Sequence, residues 1–391
     1  MPTADQPIRT THIGSLPRPT ELVEFFERAQ QGEDIDDDRF RDIIADATQR
    51  VVERQADIGL DVINNGEQPR VAFNFYAVNR LTNYDGETTA SFWGDLDDFP
   101  GYADLAFDTV DVDLRTRPAA TGPIEYVGHD AVRAEIAGFH ATLDTIDTDG
   151  LETFFTAVAP GTVATSLGND YYDTYEEYVF AVADAFAEEY AIIAEETDGA
   201  IQLDAPDLLA EAHRVLRDLS EATFLDVVRT NIDALNRALD GIDAERVRLH
   251  TCWGNYEGPH THDIGLETVL PELYDANVGA LSIEQANPRH QHEFRALADH
   301  PIPDGWTFIP GVIDTKTNIV EPPAVVADRL ERFVDVVGDP ARVIAAPDCG
   351  FGTLAGLRTV DSEIAWAKLE SLVEGTRLAN ERVATSAVTA D

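Results

Sequence analysis

The sequence is poor in cysteine and methionine, and it contains no long apolar run. Two cysteines in 391 residues cannot form the dense disulfide framework of a small secreted protein. No run approaches the about 18 apolar residues that a membrane-spanning helix needs. The first five residues lack the basic start and apolar core of a secretory signal. These absences predict a cytoplasmic protein that has no membrane partner.

Basic residues are also scarce, since 28 lysines and arginines oppose 73 aspartates and glutamates, for a formal charge of −45. The acids are spread along the chain instead of forming one tail, as in the run at 34–38 and in the pair Glu188-Glu189. Such a surface repels nucleic acid and anionic lipid. Because concentrated salt screens this repulsion, we interpret the charge as a halophilic adaptation and not as a functional feature.

The remaining composition is that of a globular protein, with 44% hydrophobic and 8% aromatic residues. A chain of this length forms two domains or one large α/β barrel. Eight short apolar segments alternate with helical patterns, at 8–13, 61–64, 156–159, 200–204, 248–252, 281–284, 307–312 and 343–346. The helical patterns cover about 20–31, 38–58, 130–145, 173–197, 220–240, 322–337 and 361–380.

Short strands that alternate with longer helices indicate parallel βαβ units. Eight such units predict a (β/α)8 TIM barrel, which we expect to form a single catalytic domain over residues 1–391. The helical and strand periodicity is lost at about 82–127, so we predict an inserted excursion after the second strand. A doubly wound open sheet is the alternative, but no GxGxxG or phosphate-binding loop supports it.

Metal-ligand side chains follow several of the predicted strands. His250 and Cys252 are two residues apart on one strand, so they point to the same face. Glu284 and Cys349 end two later apolar runs, and the four side chains form a complete ligand set for tetrahedral zinc. The alternative is that the two cysteines are unrelated buried residues and that Glu284 lies on the surface.

Polar residues recur at the ends of most of the predicted strands. In a (β/α)8 barrel the active site lies at the carboxyl ends of the strands, so these residues are expected to converge. They are Ser15, Glu67, Asp204, His250, Cys252, Glu284, Asp314, Asp348 and Cys349.

Seven sequence blocks, in order, resemble the C-terminal catalytic barrel of the cobalamin-independent methionine synthase family. The blocks are Thr11–Pro17, Asn65–Glu67, Ile201–Pro206, His250–Cys252, Ser282–Glu284, Pro310–Asp314 and Pro347–Gly350. The resemblance extends from Thr10 to about Thr353 and implies a (β/α)8 fold and transfer of a methyl group to the thiol of homocysteine.

The resemblance also implies roles for individual residues. His250, Cys252, Glu284 and Cys349 match the ligands of a catalytic Zn²⁺ ion. Ser15 and Glu67, with Gly14 in the same turn, match residues that hold the thiol substrate, and Asp204 matches the carboxylate that binds its amino group. Zinc held by thiolates favours deprotonation of a substrate thiol, and the thiolate is the nucleophilic form.

Three departures from the family pattern concern the methyl donor. The full-length members carry an N-terminal barrel half that helps to bind folate polyglutamate, whereas the resemblance here covers the catalytic half. Ala205 lies between Asp204 and Pro206, where methionine synthases usually have a glutamate. After Asp314 the family has a histidine as proton donor, and this sequence has Thr315-Lys316. Asp314 and Lys316 are therefore the predicted catalytic residues, with Lys316 as a proton donor or as an anchor for an anion.

Two other functions stay open. The segment Trp253–His260 resembles the related epoxyalkane:coenzyme M transferases, in which a zinc thiolate opens an epoxide. A non-enzymatic zinc-binding module is the remote alternative. His260 and His262 are interpreted as polar loop residues with metal ligation as the alternative, and His290 and His292 as capping or surface residues with substrate contact as the alternative.

Overall fold

Eight parallel strands form the centre of the computed structural model, which describes residues 7–33, 35–89, 95, 98–102, 116–211, 219–356 and 360–390. The described strands are β1 (Arg9–Thr10), β2 (Val62–Ile63), β3 (Gly86–Thr89), β4 (Thr116–Ala120), β5 (Glu152–Val158), β6 (Gly168–Asn169), β7 (Ala200–Asp204), β8 (Val247–Thr251), β9 (Ala280–Ile283), β10 (Thr307–Ile313) and β11 (Ile344–Pro347). The main sheet has the order β1-β11-β10-β9-β8-β7-β5-β2.

This sheet curves back on itself. The first strand pairs in parallel with the last, β11. On its other side β1 meets β2, because the Thr10 N–H donates to Asp61 Oδ2 at 2.7 Å and the Thr11 hydroxyl donates to the Val62 carbonyl at 3.3 Å. The predicted (β/α)8 barrel is therefore confirmed, and the open doubly wound sheet is excluded.

Helices cover the outside of the barrel. Seven of them lie at the positions that the apolar periodicity predicts, and shorter helices without predicted bounds lie at 160–166, 266–273 and 296–299. The helices are α1 (Thr20–Gln30), α2 (Asp37–Ile58), α3 (His129–Leu143), α4 (Pro160–Ser166), α5 (Tyr175–Glu196), α6 (Glu221–Ala238), α7 (Leu266–Leu273), α8 (Ala296–Asp299), α9 (Pro323–Val337) and α10 (Ser362–Ala390). Side chains of Asp36, Thr174 and Ser220 accept backbone N–H groups in the first turns of α2, α5 and α6, which fixes where these helices begin. Within the described ranges, no helix combines the length and apolar character needed to cross a membrane.

The predicted excursion at 82–127 leaves the barrel and returns to it at the same place. Arg80 and Val127 are joined by a backbone hydrogen bond of 2.8 Å, and Thr82 and Glu125 by one of 3.0 Å. Inside it, β3 pairs antiparallel with β4, and β4 also pairs in parallel with β6, which lies outside the excursion. Residues 90–94, 96–97 and 103–115 of the excursion lie outside the described residues.

An arginine fills the barrel interior below the carboxyl ends of the strands. Arg248 on β8 is 4% exposed, and its guanidinium lies 3.6 Å from the centre of the Phe154 ring. It donates to the His12 carbonyl at 3.0 Å and to Gln202 Oε1 at 2.9 Å. Burial lowers the pKa of Arg248 to about 9, although the charge of Asp204 raises it. Because this layer closes the interior, the next inward residue of β8, His250, lies at the floor of the open end.

The acidic surface predicts a strong dependence of stability on salt. Asp36, Asp37 and Asp38 are all exposed at the start of α2, and repulsion between such groups costs free energy at low ionic strength. We expect the melting temperature to rise by about 5–10 °C between dilute buffer and molar KCl, which is a few kcal/mol on the usual scale for domains. Calorimetry across a KCl series measures this, and a flat response would refute the interpretation of the charge as an adaptation to salt.

Candidate active site and metal centre

Three metal-ligand side chains converge at the carboxyl end of the barrel. In the strand register His250 lies opposite Asp204 on one side and Ser282 on the other. Cys252 follows β8 and Cys349 follows β11. The donor atoms of His250, Cys252 and Cys349 all lie within 4.8 Å of one another, and all three side chains are buried. The structure therefore brings together three of the four predicted metal ligands.

The pKa values of the two thiols in this cluster are shifted in opposite directions. The hydrogen bond with Cys349 lowers the pKa of Cys252 to about 5, against the effect of burial and with help from His250. The same hydrogen bond, together with burial, raises the pKa of Cys349. The hydrogen bond between the two sulfur atoms therefore favours the thiolate form at Cys252 and the thiol form at Cys349. A thiolate, a second sulfur and an imidazole are donors that suit zinc.

Glu284, the fourth predicted ligand, is held by other groups. Its carboxylate forms an ion pair with the Lys316 ammonium. It also accepts the Trp253 N–H at 2.6 Å and the side-chain amide of Asn287 at 3.1 Å. Burial raises the pKa of Glu284, but the charges of Lys316, His290 and His260 and the Lys316 hydrogen bond together outweigh this, so that the net pKa is lowered. Glu284 is an ionised carboxylate beside the sulfur cluster, with its oxygens committed to the neighbouring loops.

Lys316 and Asp314 occupy the loop after β10, as predicted. Lys316 is 6% exposed, and its ammonium faces Glu284 instead of solvent. Burial lowers the pKa of Lys316, but the negative charges of Glu284, Cys349 and Asp348 together outweigh this, so that the net pKa is raised. Asp314 accepts the Lys316 N–H at 3.0 Å and the Thr317 hydroxyl at 2.8 Å, so its carboxylate shapes the loop that carries Lys316.

The sequence contains only two lysines, Lys316 and Lys368, and the structure buries both. Lys368 forms an ion pair with Glu321 at 2.9 Å and donates to the Asp314 carbonyl at 2.9 Å. Glu321 in turn accepts the Asp314 N–H at 2.8 Å. The second lysine therefore supports the loop that places the first.

A carboxylate to which sequence reasoning gave no role organises the loop after β9. Asp348 Oδ1 accepts the N–H groups of Gln285 and Ala286 at 2.8 Å each, and Oδ2 accepts the Asn287 N–H at 3.1 Å. Asp348 directly precedes Cys349, so this contact ties the cysteine to the loop that begins with Glu284. Its position at a strand end was visible in the sequence, but its partners were not.

The predicted substrate residues form a second part of the site. Gly14 has φ 137°, and a Cβ atom there would lie 2.5 Å from Glu67 Oε1, so only glycine allows the carboxylate this close. Ser15 Oγ would lie 2.1 Å from a Cβ atom on Gly350, which places the serine beside the residue after Cys349. The turn at 14–15 is thus packed against both Glu67 and the sulfur cluster.

Two buried carboxylates face this part of the site. Among the residues that the structure describes, none hydrogen-bonds Oε2 of Glu67, although the side chain is 1% exposed. Burial raises the pKa of Glu67, while Arg70 and Arg18 lower it. Burial likewise raises the pKa of Asp204 to about 7, opposed by the charge of His250 and reinforced by that of Glu67. An added cation between them would relieve this repulsion.

The nearby arginines are already committed to other groups. Arg70 donates to the Thr156 hydroxyl at 3.0 Å and pairs with Glu135 at 3.0 Å. Arg18 donates to the backbone carbonyls of Glu67, at 2.7 Å, and Gly352. This part of the site therefore presents Oε2 of Glu67 to a ligand. Arg70 and the terminal nitrogens of Arg18 are engaged in the protein, whereas Arg18 Nε has no hydrogen-bond partner among the described residues.

The chain is similar to known proteins over most of its length. A family model described as "Cobalamin-independent synthase, Catalytic domain" matches residues 8–92 and 164–377. The 2-hydroxypropyl-CoM lyase of Xanthobacter autotrophicus is 26% identical over 97% of this chain and 97% of its own length. The methionine synthase of Thermococcus kodakarensis is 24% identical over 96% of this chain and 94% of its own length.

Solved structures support the fold. A B12-independent methionine synthase from a Shewanella species superposes with a TM-score of 0.69 at 18% identity and covers 97% of this chain and 99% of its own. A putative vitamin-B12-independent methionine synthase from Listeria monocytogenes gives a TM-score of 0.64 at 20% identity, over 95% and 98% of the two chains. The barrel described above is therefore the fold of these proteins.

Proposed function

This chain belongs to the family of cobalamin-independent synthase catalytic domains, and we propose on that premise that it transfers a methyl group to the thiol of homocysteine. The substrate sulfur gains the methyl carbon, the donor leaves with the electron pair of the broken bond, and the thiol proton is released. The methionine synthases among its relatives cover nearly the whole chain. With few cysteines and no spanning helix in the described ranges, we place this activity in the cytoplasm.

The observation that carries the proposal is the carboxylate pair Glu67 and Asp204 beside the sulfur cluster. Homocysteine bears an ammonium group near its thiol, and a cation between the two carboxylates would offset their repulsion. Oε2 of Glu67, which has no hydrogen-bond partner among the described residues, would then accept from that ammonium. Asp204 lies opposite His250 in the strand register, so the bound thiol would lie near the metal ligands.

The metal in this proposal is Zn²⁺, held by His250, Cys252 and Cys349, with Glu284 as the predicted fourth ligand. The fit rests on three buried nitrogen and sulfur donors within 4.8 Å of one another. Zinc would supply a Lewis acid that favours the thiolate form of the substrate. The protein contributes the buried carboxylates that orient the amino acid, the arginine layer that closes the barrel below, and Lys316, which neutralises Glu284.

The substitution Asp204→Asn tests the role of the carboxylates. We expect kcat/KM for homocysteine to fall about 10- to 100-fold, since a hydrogen bond to a charged group contributes about 1.5–3 kcal/mol. Turnover is measured with methyl-folate, methyl-corrinoid and epoxide donors in parallel. Asp198→Asn is the matched control, because Asp198 is exposed before the amino end of β7, and its rate should equal that of the wild type. Equal rates for Asp204→Asn and the wild type would refute the proposal that Asp204 binds the ammonium group of the substrate.

Alkylation of a sulfonate-bearing thiol is the second candidate, favoured by the similarity to a 2-hydroxypropyl-CoM lyase. A sulfonate is an anion, and the buried carboxylates Glu67 and Asp204 would repel it. With 2-mercaptoethanesulfonate as thiol, Asp204→Asn should therefore leave the rate unchanged or raise it. A wild type that alkylates this thiol but not homocysteine would select the second candidate.

A further inference from the structure

A second cluster of metal-ligand side chains lies behind Glu284, on the loops that follow β8 and β9. It consists of His260, Asp263 and His290, whose donor atoms all lie within 4.8 Å of one another. The three side chains are 6%, 0% and 2% exposed. The surface role predicted for His290 is therefore wrong, whereas His292 is exposed. The thiol chemistry proposed above uses none of the three.

Both nitrogens of each imidazole face a hydrogen-bond acceptor. His260 Nδ1 lies 2.8 Å from Asp263 Oδ2, and its Nε2 lies 3.1 Å from the Tyr256 carbonyl oxygen. His290 Nε2 lies 2.7 Å from the same Asp263 oxygen, and its Nδ1 lies 3.3 Å from Glu293 Oε2. A neutral imidazole carries one N–H. Two neutral rings can therefore supply only two of the four hydrogens that these contacts require.

Protonation of His260 and His290 does not satisfy all four contacts without bringing two positive charges together. One added proton, carried by either ring, still leaves one of the four contacts without a hydrogen. A second imidazolium at His260 would direct two positive rings at one carboxylate oxygen. Like charges at this separation in a buried site repel each other.

A metal ion between Asp263 Oδ2, His260 Nδ1 and His290 Nε2 would remove this shortage of hydrogens. Each ring then needs one N–H, on its other nitrogen. His260 would donate to the Tyr256 carbonyl and His290 to the Glu293 carboxylate. Metal-bound histidines almost always donate their second N–H to a backbone carbonyl or a carboxylate. Both kinds of partner are in place here.

We propose that His260, Asp263 and His290 bind a second divalent transition-metal ion, separate from the cluster of His250, Cys252 and Cys349. Two imidazoles and one carboxylate suit first-row transition ions better than Mg²⁺ or Ca²⁺.

The second ion would stabilise the loops around Glu284. The Trp253 ring stacks on His290, with ring centres 3.6 Å apart and an angle of 6° between the planes. The Trp253 N–H donates to Glu284 Oε1 at 2.6 Å. One residue therefore connects the second cluster to the carboxylate beside the sulfur cluster.

Metal stoichiometry tests this proposal. Protein from cells supplied with zinc, iron, manganese, cobalt and nickel is passed through gel filtration in molar KCl, which screens ions from the acidic surface, and its metals are counted by mass spectrometry. We expect two ions per chain in the wild type, and one in both Asp263→Asn and His290→Gln. His262→Gln is the matched control, since His262 is exposed and contacts Asp98. It should retain two ions.

The substitution Cys349→Ser separates the two sites. It should retain one ion, and Cys349→Ser combined with Asp263→Asn should retain none. A wild type with one ion, which Cys349→Ser removes, would overturn the proposal even if the other variants fail to fold. Two ions in both Asp263→Asn and His290→Gln would also overturn it. If Cys349→Ser keeps both ions while Asp263→Asn loses one, the sulfur site fails and the second site stands.

Discussion

Cys349→Ser should abolish catalysis and remove one zinc ion per chain. The thiol of Cys349 is hydrogen-bonded to Cys252 and lies in the only described cluster that combines sulfur with nitrogen donors. A hydroxyl is a much poorer ligand for zinc than a thiolate. Changing even a partner outside the ligand set costs about 10- to 100-fold in metal affinity or activity, so we expect a loss of more than about 100-fold here. Metal analysis and the homocysteine assay measure the two effects.

The fold of this variant should be preserved. A barrel of this size buries enough apolar surface to remain folded without the metal, so circular dichroism and the melting temperature in molar KCl should change little. Full zinc content and full activity in Cys349→Ser would show that Cys349 is not a zinc ligand. Lost activity with unfolded protein would instead assign it a structural role, which the exposed control His262→Gln should not reproduce.

Lys316→Met should destabilise the protein by about 3–5 kcal/mol, the usual cost of removing one partner of a buried ion pair. Lys316 and Glu284 are both buried, and the substitution leaves the carboxylate with only the Trp253 and Asn287 hydrogen bonds. Because the freed carboxylate can turn to the metal, we also expect tighter zinc binding. Denaturant unfolding at fixed zinc and salt, and competition with a chelator, measure these effects.

The other lysine provides the matched comparison. Lys368→Met breaks the buried pair with Glu321, so it should also destabilise the protein, but it should not tighten zinc binding. Lys316→Arg keeps the charge and should lose less stability. The double variant Lys316→Met/Glu284→Gln should recover most of the loss, because it removes both charges. A Lys316→Met protein as stable as the wild type would show that the pair makes no net contribution.

Two neighbouring glutamates, Glu188 and Glu189, differ in burial in a way that composition does not predict. Glu188 and Glu189 both belong to the acidic composition that we interpreted as a solvent-exposed surface. Glu188 is exposed, whereas Glu189 is fully buried, pairs with Arg80 at 3.0 Å and accepts the Tyr76 hydroxyl at 2.8 Å. Their positions on α5 differ by one residue, or about 100° of rotation, and these two partners of Glu189 are more than a hundred residues away in the chain. Composition therefore predicted an acidic surface, and only the packing of α5 shows that Glu189 is buried.

The sequence by itself determined the barrel and the convergence of His250, Cys252 and Cys349 at the ends of its strands. These follow from local rules, because apolar periodicity defines each strand and parallel strands bring their carboxyl ends to one face. Only the tertiary structure decided that Lys316 pairs with Glu284 and that Asp263 joins His260 to His290. Such contacts join separate loops, and their hydrogen bonds depend on distances of a few ångströms that residue spacing does not encode.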